Sequence, residues 1–181
     1  MTQNVAQSNW HNRGRWRKPV VTALSNDTMT HHPAYQIIGA DRPSRWLVTV
    51  DHATNTVPDW VAGGDLGIAP ADMARHIAYD VGALGLAQRL AERLDAPLIA
   101  TDFSRLVIDP NRGEDDPTLV MKLYDGTIIP ANRHVDAAEV EHRLARLYRP
   151  YHGALADLAG RRPDKVDRKS TRLNSSHGKL S

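Results

Sequence analysis

The sequence predicts an α/β protein of three layers, in which helices flank a mixed, mostly parallel central sheet. Short apolar runs alternate along the chain with longer segments whose apolar residues recur at helical spacing. Polar residues follow two of the apolar runs, and open α/β sheets place their functional groups at such strand ends. Strands that alternate with long helices favour parallel pairing through right-handed crossovers.

The first strand is predicted over residues 45–51, and a long helix is predicted over residues 70–95. Pro70 is tolerated in a first helical turn, and two sets of apolar residues follow it at helical spacing. Gly82 and Gly85 weaken the middle of this segment, so either a kinked helix or two shorter helices is expected. The two apolar sets are Met73, Ile77, Val81 and Leu84, and then Leu86, Leu90 and Leu94.

Two more short strands are predicted over residues 97–101 and 106–109, and a second helical region over residues 136–158. Pro150 is expected to interrupt that helical region, because proline removes a helical hydrogen bond. Residues 113–117 and 124–132 are predicted loops, and the Asp125-Gly126 pair within the second is a turn signal.

The residues that can carry chemistry lie at the predicted strand ends and on the first helix. His52 follows the first strand, and Asn111 and Arg112 follow residues 106–109. His76 and Asp80 are four residues apart, so a helix would present both on one face. These positions predict one site at one edge of the sheet.

Five sequence blocks occur in an order that resembles the N-formylglutamate amidohydrolase family. One block alone would be a weak signal, but five in the same order are specific, and the resemblance extends over about residues 35–158. The blocks are Asp-His-Ala-Thr-Asn-Thr-Val-Pro at 51–58, His-Ile-Ala-Tyr-Asp at 76–80, Ser-Arg-Leu-Val-Ile-Asp-Pro-Asn-Arg at 104–112, Asp-Gly-Thr-Ile-Ile-Pro at 125–130 and Tyr-Arg-Pro-Tyr-His at 148–152.

The resemblance implies a zinc-dependent amide hydrolase that releases formate and an amino acid from N-acyl amino acids such as N-formylglutamate. Its implied metal ligands are His52, His76 and Asp80, and Asp80 is also a candidate catalytic base. A more distantly similar group of zinc carboxypeptidases uses a His-x-x-Glu motif, but Asn55 stands here at the glutamate position. Because an asparagine carbonyl carries no charge, Asn55 is instead expected to bind substrate.

The expected partner is a small N-acyl amino acid, which Arg105, Asn111 and Arg112 would bind together with Asn55. An arginine fork matches a carboxylate, and that carboxypeptidase group uses an Asn-Arg pair for the carboxylate of its substrate. An alternative for Arg112 is an ion pair with Glu114, Asp115 or Asp116.

Other classes of function fit the sequence less well. A serine hydrolase would need a nucleophile, and neither Ser44 nor Ser104 lies in a Gly-x-Ser-x-Gly elbow. The chain has no cysteine, which excludes a thiol nucleophile and a cysteine zinc site and fits a reducing cytoplasm. Two alternatives remain: a non-catalytic protein that binds an acidic or acylated amino acid, and an interaction module. The only candidate surface for the second is Trp60 with Val57 and Val61, and a loop packed on the core explains these residues as well.

Both ends of the chain differ from the rest. Residues 1–28 are predicted to be a disordered leader or a mis-called start, and residues 167–181 resemble a translated sequencing adapter, so they are interpreted as an artefactual tail. Residues 29–166 are expected to form the N-terminal part of an amidohydrolase domain. The family continues beyond this point with a histidine and a glutamate, so the sheet is expected to be truncated and this fragment to be inactive.

The overall charge gives no argument for nucleic acid. Residues 1–28 and residues 167–181 each carry a net charge of +3, so the total of +2 leaves −4 for the region between them. No run approaches the roughly 20 apolar residues that a membrane helix needs. The sequence leaves the oligomeric state open.

Overall fold

The computed structural model describes residues 32–162, so the expectations for residues 1–28 and 167–181 fall outside the described residues. Short 3-10 turns occur at Ala62–Gly64 and Pro130–Asn132. The main elements are β1 Tyr35–Ile38, β2 Val48–Val50, α1 Pro70–Met73, α2 Ala83–Arg93, β3 Leu98–Thr101, β4 Leu123–Tyr124, β5 Thr127–Ile128, α3 Ala137–Arg143, a π-helical turn Leu144–Tyr148, and α4 Arg149–Gly160.

The main sheet has three strands in the order β1-β3-β2. β2 runs parallel to β3, with Val50 opposite Ala100, whereas β1 is antiparallel to β3. The strands predicted at residues 45–51 and 97–101 are therefore confirmed with shorter bounds, and β1 was not predicted. The sheet thus contains one parallel and one antiparallel pairing, which confirms the prediction of a mixed sheet.

The sheet lies between two helices. Leu98 and Ala100 belong to a core cluster with the buried alanines of α2. Ile99, which points to the opposite face because side chains alternate along a strand, packs with Tyr151 and Leu158 of α4. This alternation gives the predicted three layers.

The helical segment predicted over residues 70–95 forms two shorter helices, which is the second of the two expected alternatives. α1 ends at Met73, residues 74–82 form turns, and α2 begins after Gly82, whose φ is 80°. His76 and Asp80 therefore do not share a helix face.

Tertiary hydrogen bonds replace helical ones in residues 74–82. The backbone N–H of Asp80 donates to the carbonyl of His52 at 3.0 Å. The carbonyl of Ala78 accepts from the Arg105 backbone N–H at 3.2 Å and from the Ser104 hydroxyl at 2.8 Å. These bonds join distant loops, so periodicity along the chain does not reveal them.

The strand predicted over residues 106–109 is also wrong. Leu106 and Val107 are fully buried, but their segment forms turns and pairs with no strand among residues 32–162. Their carbonyls accept instead from Asn132 Nδ2 at 2.7 Å and from Arg143 Nη1 at 2.9 Å. Side chains thus satisfy buried backbone groups that a sheet would otherwise pair.

The turn signal at Asp125-Gly126 is confirmed. Both residues have positive φ, 46° and 76°, as a type I′ hairpin turn requires. The turn joins β4 to β5 in a small antiparallel hairpin that the sequence did not predict.

The second helical region is interrupted before Pro150, as predicted, but the interruption is a wider turn and not a break. The Arg149 backbone N–H donates to the carbonyl of Leu144, five residues earlier. The Asp136 side chain accepts from the Glu139 N–H at 2.9 Å and caps α3. Across residues 32–162, no helix has the length and apolar character to cross a membrane.

Candidate functional site

The candidate site lies beyond the carboxyl ends of β2 and β3, where three irregular segments meet. His52 follows β2, Asp80 lies in the turns before α2, and the third segment supplies Arg105, Asp109 and Asn111. Parallel strands direct their carboxyl ends to one edge, so the segments that follow them converge there.

Asp109 is the centre of the site and is fully buried. Its Oδ1 lies 2.7 Å from His52 Nε2 and 2.9 Å from the Asn111 backbone nitrogen, and its Oδ2 accepts from Arg105 Nη2 at 3.3 Å. Burial alone raises the pKa of Asp109, but the hydrogen bond and charge of His52, the charge of Arg105 and the Asn111 N–H outweigh burial. The net pKa is lowered, so the carboxylate is charged at neutral pH.

His52 is 3% exposed and lies between two carboxylates. Its Nε2 faces Asp109, and its Nδ1 is 3.5 Å from Asp80 Oδ2. The side chain of Asp80 is 49% exposed, so Nδ1 faces the open side of the site. Asp109 thus orients this ring, whereas the adjacent Asp51 accepts a hydrogen bond from Tyr151.

Arg105 is buried beside the same two carboxylates. It lies 3.4 Å from Asp80 Oδ1 and 3.3 Å from Asp109 Oδ2, and its guanidinium carbon is 5.3 Å from the centre of the Tyr124 ring. Its Nε has no hydrogen-bond partner among the described residues. Asp80 is therefore shared between His52 and Arg105.

Arg112 is the more accessible cation, since its side chain is 41% exposed. It is 3.8 Å from both Asp109 and Asp116, which makes these long ion pairs. The predicted alternative of an ion pair with Asp116 is thus present, whereas Glu114 pairs with Arg149 at 2.8 Å.

His76 and Asn55 are positioned away from this cluster. His76 is 61% exposed, and its nearest carboxylate is Asp125, at 3.6 Å. Asn55 Nδ2 donates to the Met73 carbonyl at 2.8 Å, so its amide holds the end of α1. Within residues 32–162, no group of three or more His, Cys, Asp or Glu side chains is arranged to hold a metal ion.

The segment around His52 is held by residues that sequence reasoning missed. Thr101 Oγ1 donates to the Asp51 carbonyl at 2.9 Å and accepts from the Ala53 N–H at 3.3 Å. The Tyr151 hydroxyl donates to Asp51 Oδ1. Asp51 therefore faces α4, and the only sequence signal for this was the Tyr-Arg-Pro-Tyr-His block.

The same helical region holds the segment that carries Asn111 and Arg112. His152 Nε2 is 3.1 Å from the Pro110 carbonyl, and the Tyr148 hydroxyl donates to the Arg112 carbonyl at 2.7 Å. His152 therefore contacts the backbone of the site.

Ser104 does not provide a nucleophile. Its hydroxyl is fully buried, donates to the Ala78 carbonyl and accepts from the Leu106 N–H. These contacts make it a structural residue.

His52 and Asp80 fit two ligands of a zinc ion. Two atoms bound to tetrahedral zinc at about 2.1 Å each lie roughly 3.4 Å apart, and His52 Nδ1 and Asp80 Oδ2 are separated by 3.5 Å. Asp109 on the other ring nitrogen is the carboxylate that commonly orients a metal-binding histidine. A third ligand from the same set of residue types does not join them within residues 32–162.

The fold and the site define an α/β protein whose polar groups meet at the carboxyl edge of a mixed sheet, where such folds carry their active sites. The family model for N-formylglutamate amidohydrolase matches residues 44–171. The chain therefore belongs to the N-formylglutamate amidohydrolase family, as the five sequence blocks predicted.

Two solved structures are similar to this chain. A gene product from Agrobacterium tumefaciens is 32% identical, with a TM-score of 0.69 over 72% of this chain and 51% of that chain. The N-formylglutamate amidohydrolase from Ralstonia eutropha JMP134 is 26% identical, with a TM-score of 0.52 over 68% of this chain and 49% of that one. This chain thus spans about half the length of each. A comparison with curated proteins finds no significant match.

Proposed function

We propose that residues 29–166 supply part of the active site of a metal-dependent amide hydrolase that acts on N-formyl amino acids such as N-formylglutamate. The observation that carries the proposal is His52, buried between Asp109 and Asp80 and next to the Arg105 guanidinium. Family membership supports the reaction class, and the similar Ralstonia protein bears the name of that activity.

His52 and Asp80 are the residues that would hold the metal. A bound zinc ion polarises a carbonyl group and lowers the pKa of its water to about 7. The Asp109 carboxylate favours the tautomer of His52 whose Nε2 proton donates to it. That tautomer leaves the Nδ1 lone pair directed to the side of Asp80.

The cations of the site would bind the carboxylates of the substrate. N-formylglutamate has two carboxylates, and the site has two arginines. Arg112 is partly exposed and its ion pairs are long, so a substrate carboxylate can replace them at low cost. The Asn111 amide nitrogen lies 3.5 Å from His52 Nε2, which places an amide donor between the histidine and Arg112.

The test is a binding and turnover assay on the 181-residue chain. We expect weak zinc binding and no release of formate from N-formyl-L-glutamate, because the described residues offer two metal ligands and not three. Stoichiometric tight zinc together with turnover would contradict this expectation. Zinc binding should weaken further in His52→Ala and stay unchanged in His142→Ala, whose ring lies on α3 against Trp60.

A second candidate is a protein that binds an acidic or acylated amino acid without catalysis. The specific observation in its favour is the missing third ligand within residues 32–162, while both arginines are in place. A rise in melting temperature with N-formyl-L-glutamate that a chelator leaves unchanged would favour this candidate. The proposed location for either function is the cytoplasm, which the lack of cysteine fits.

A further inference from the structure

We propose that Tyr148, Tyr151 and His152 are positioning residues that join the two halves of the candidate site. They tie the His52 segment and the Asn111–Arg112 segment to one helix, and so fix the distance between the histidine and the substrate cation. The inference rests on the proposed function of that site.

The first tie is a hydrogen bond from α4 to the segment that carries His52. Tyr151 is fully buried, and its hydroxyl donates to the carboxylate of Asp51, the residue before His52. Thr101 holds the same segment from the end of β3. His52 is therefore fixed through its backbone from two directions, while Asp109 fixes its ring.

The second tie runs from the same helix to the other segment. His152 contacts the Pro110 carbonyl at 3.1 Å and Tyr148 donates to the Arg112 carbonyl at 2.7 Å. These two carbonyls flank Asn111. The path of the backbone through Asn111 and Arg112 is thus set by two hydrogen bonds from one helix face.

The three side chains act as one unit because their rings touch. The His152 ring centre lies 4.3 Å from that of Tyr148 and 5.3 Å from that of Tyr151. Ring pairs at such distances attract each other beyond the effect of burial alone. A shift of one tie therefore moves the other.

The π-helical turn directs this face toward the site. The turn at Leu144–Tyr148 contains one more residue than an α-helical turn, and each residue advances an α-helix by about 100°. A continuous α-helix from α3 would rotate Tyr151 and His152 away by that angle. It would also leave Pro150 in a helix interior, where its ring meets a carbonyl.

The role of Tyr151 can be separated from its packing. Its ring packs with Ile99 and Leu158, and phenylalanine would fill the same space. The hydroxyl is needed only for the bond to Asp51. Tyr151→Phe therefore removes the first tie, and Tyr148→Phe removes one of the two hydrogen bonds of the second.

The experiment uses the full 181-residue chain and compares amide nuclear magnetic resonance spectra. We expect Tyr151→Phe to shift signals of residues 51–53, and Tyr148→Phe to shift signals of residues 111–112, with melting temperatures within a few degrees of the parent. Tyr35→Phe is the matched control, since its ring packs on the core and its hydroxyl has no hydrogen-bond partner among the described residues. Unchanged signals in both segments, or changes spread evenly over the sheet, would overturn the proposal.

A rescue pair provides a second readout. His152→Ala removes the donor to Pro110, whereas His152→Gln keeps an N–H that can reach the same carbonyl. Affinity for N-formyl-L-glutamate, measured by calorimetry, should fall about tenfold in the alanine variant and return in part with glutamine. Equal losses in both variants would contradict a positioning role. If the parent chain binds no N-formyl-L-glutamate, the proposed function fails, and the spectra still decide this inference.

Discussion

Asp109 determines the electrostatics of the site at the scale of single residues. It is fully buried, and His52, Arg105 and the Asn111 N–H all direct positive charge or hydrogen-bond donors at its two oxygens. A carboxylate in such a place cannot be removed without leaving its partners uncompensated.

Asp109→Asn should lower the free energy of unfolding by roughly 3 kcal/mol, because Arg105 would keep a buried charge without its closest compensating partner. Urea unfolding of the purified chain measures this change. Asp157→Asn is the control, since Asp157 lies exposed on α4 and its loss should change stability by less than about 0.5 kcal/mol. Equal effects of the two substitutions would exclude a central role for Asp109.

The raised pKa of Tyr151 predicts that the fold loses stability at alkaline pH. Burial, and then the charge and hydrogen bond of Asp51, raise the pKa of Tyr151 well above its ordinary 10.0. The fold therefore favours the protonated hydroxyl, and this contribution is complete below pH 10 and is lost as the pH rises above it. Between pH 10 and 11.5 the parent should lose stability more steeply than Tyr151→Phe, in unfolding curves measured at each pH. A Tyr35→Phe control should keep the steep loss.

At the scale of elements, the sequence predicts the strands and turns whose conformation depends on residues close to them in the chain. The parallel pair β2 and β3, the Asp125-Gly126 turn and the interruption before Pro150 follow from hydrophobic runs and backbone restrictions. The turns at residues 74–82 and the irregular path at residues 106–109 do not, because their backbone groups bond to distant side chains and loops. The prediction that His76 and Asp80 share one helix face was wrong for the same reason.

Gly82 and Gly85 should respond in opposite directions to alanine. Gly82 has a φ of 80° at the start of α2, whereas Gly85 lies within the helix, and an added Cβ meets no atom within 4 Å at either position. Gly82→Ala should cost about 1 kcal/mol from backbone strain, and Gly85→Ala should add about 0.5–1 kcal/mol. Thermal unfolding of the two variants tests both signs. A gain in stability from Gly82→Ala would show that the turn before α2 can relax.

At the scale of the whole molecule, an exposed apolar stripe follows the helix that joins the parallel strands β2 and β3. Leu86 and Leu90 of α2 and Leu94 at its C-terminal end have exposed fractions of 68%, 45% and 37%, while Ala87 and Ala91 are buried. On a right-handed crossover this stripe turns toward β2, which pairs on one side only among the described strands. The predicted periodicity was correct, but the stripe does not face the core.

We expect the purified 181-residue chain to self-associate at micromolar concentration, because exposed apolar stripes and free strand edges both promote association. The double variant Leu86→Glu with Leu90→Glu should remain monomeric at the same concentration in analytical ultracentrifugation. Arg89→Glu, on the same helix with an 82% exposed side chain, should associate like the parent. A parent chain that stays monomeric would show that the stripe is too small to drive association.

The ties from α4 to the Asn111 segment have a further consequence for how new specificities arise. Tyr148 and His152 bind carbonyl oxygens of the backbone, and every amino acid supplies the same oxygen. If Asn111 and Arg112 bind the substrate as proposed, substitutions at these two positions would change which acid is bound without a matching change in the helix. The helix holds the backbone of this segment whatever its side chains are, so selection can alter the two side chains one at a time.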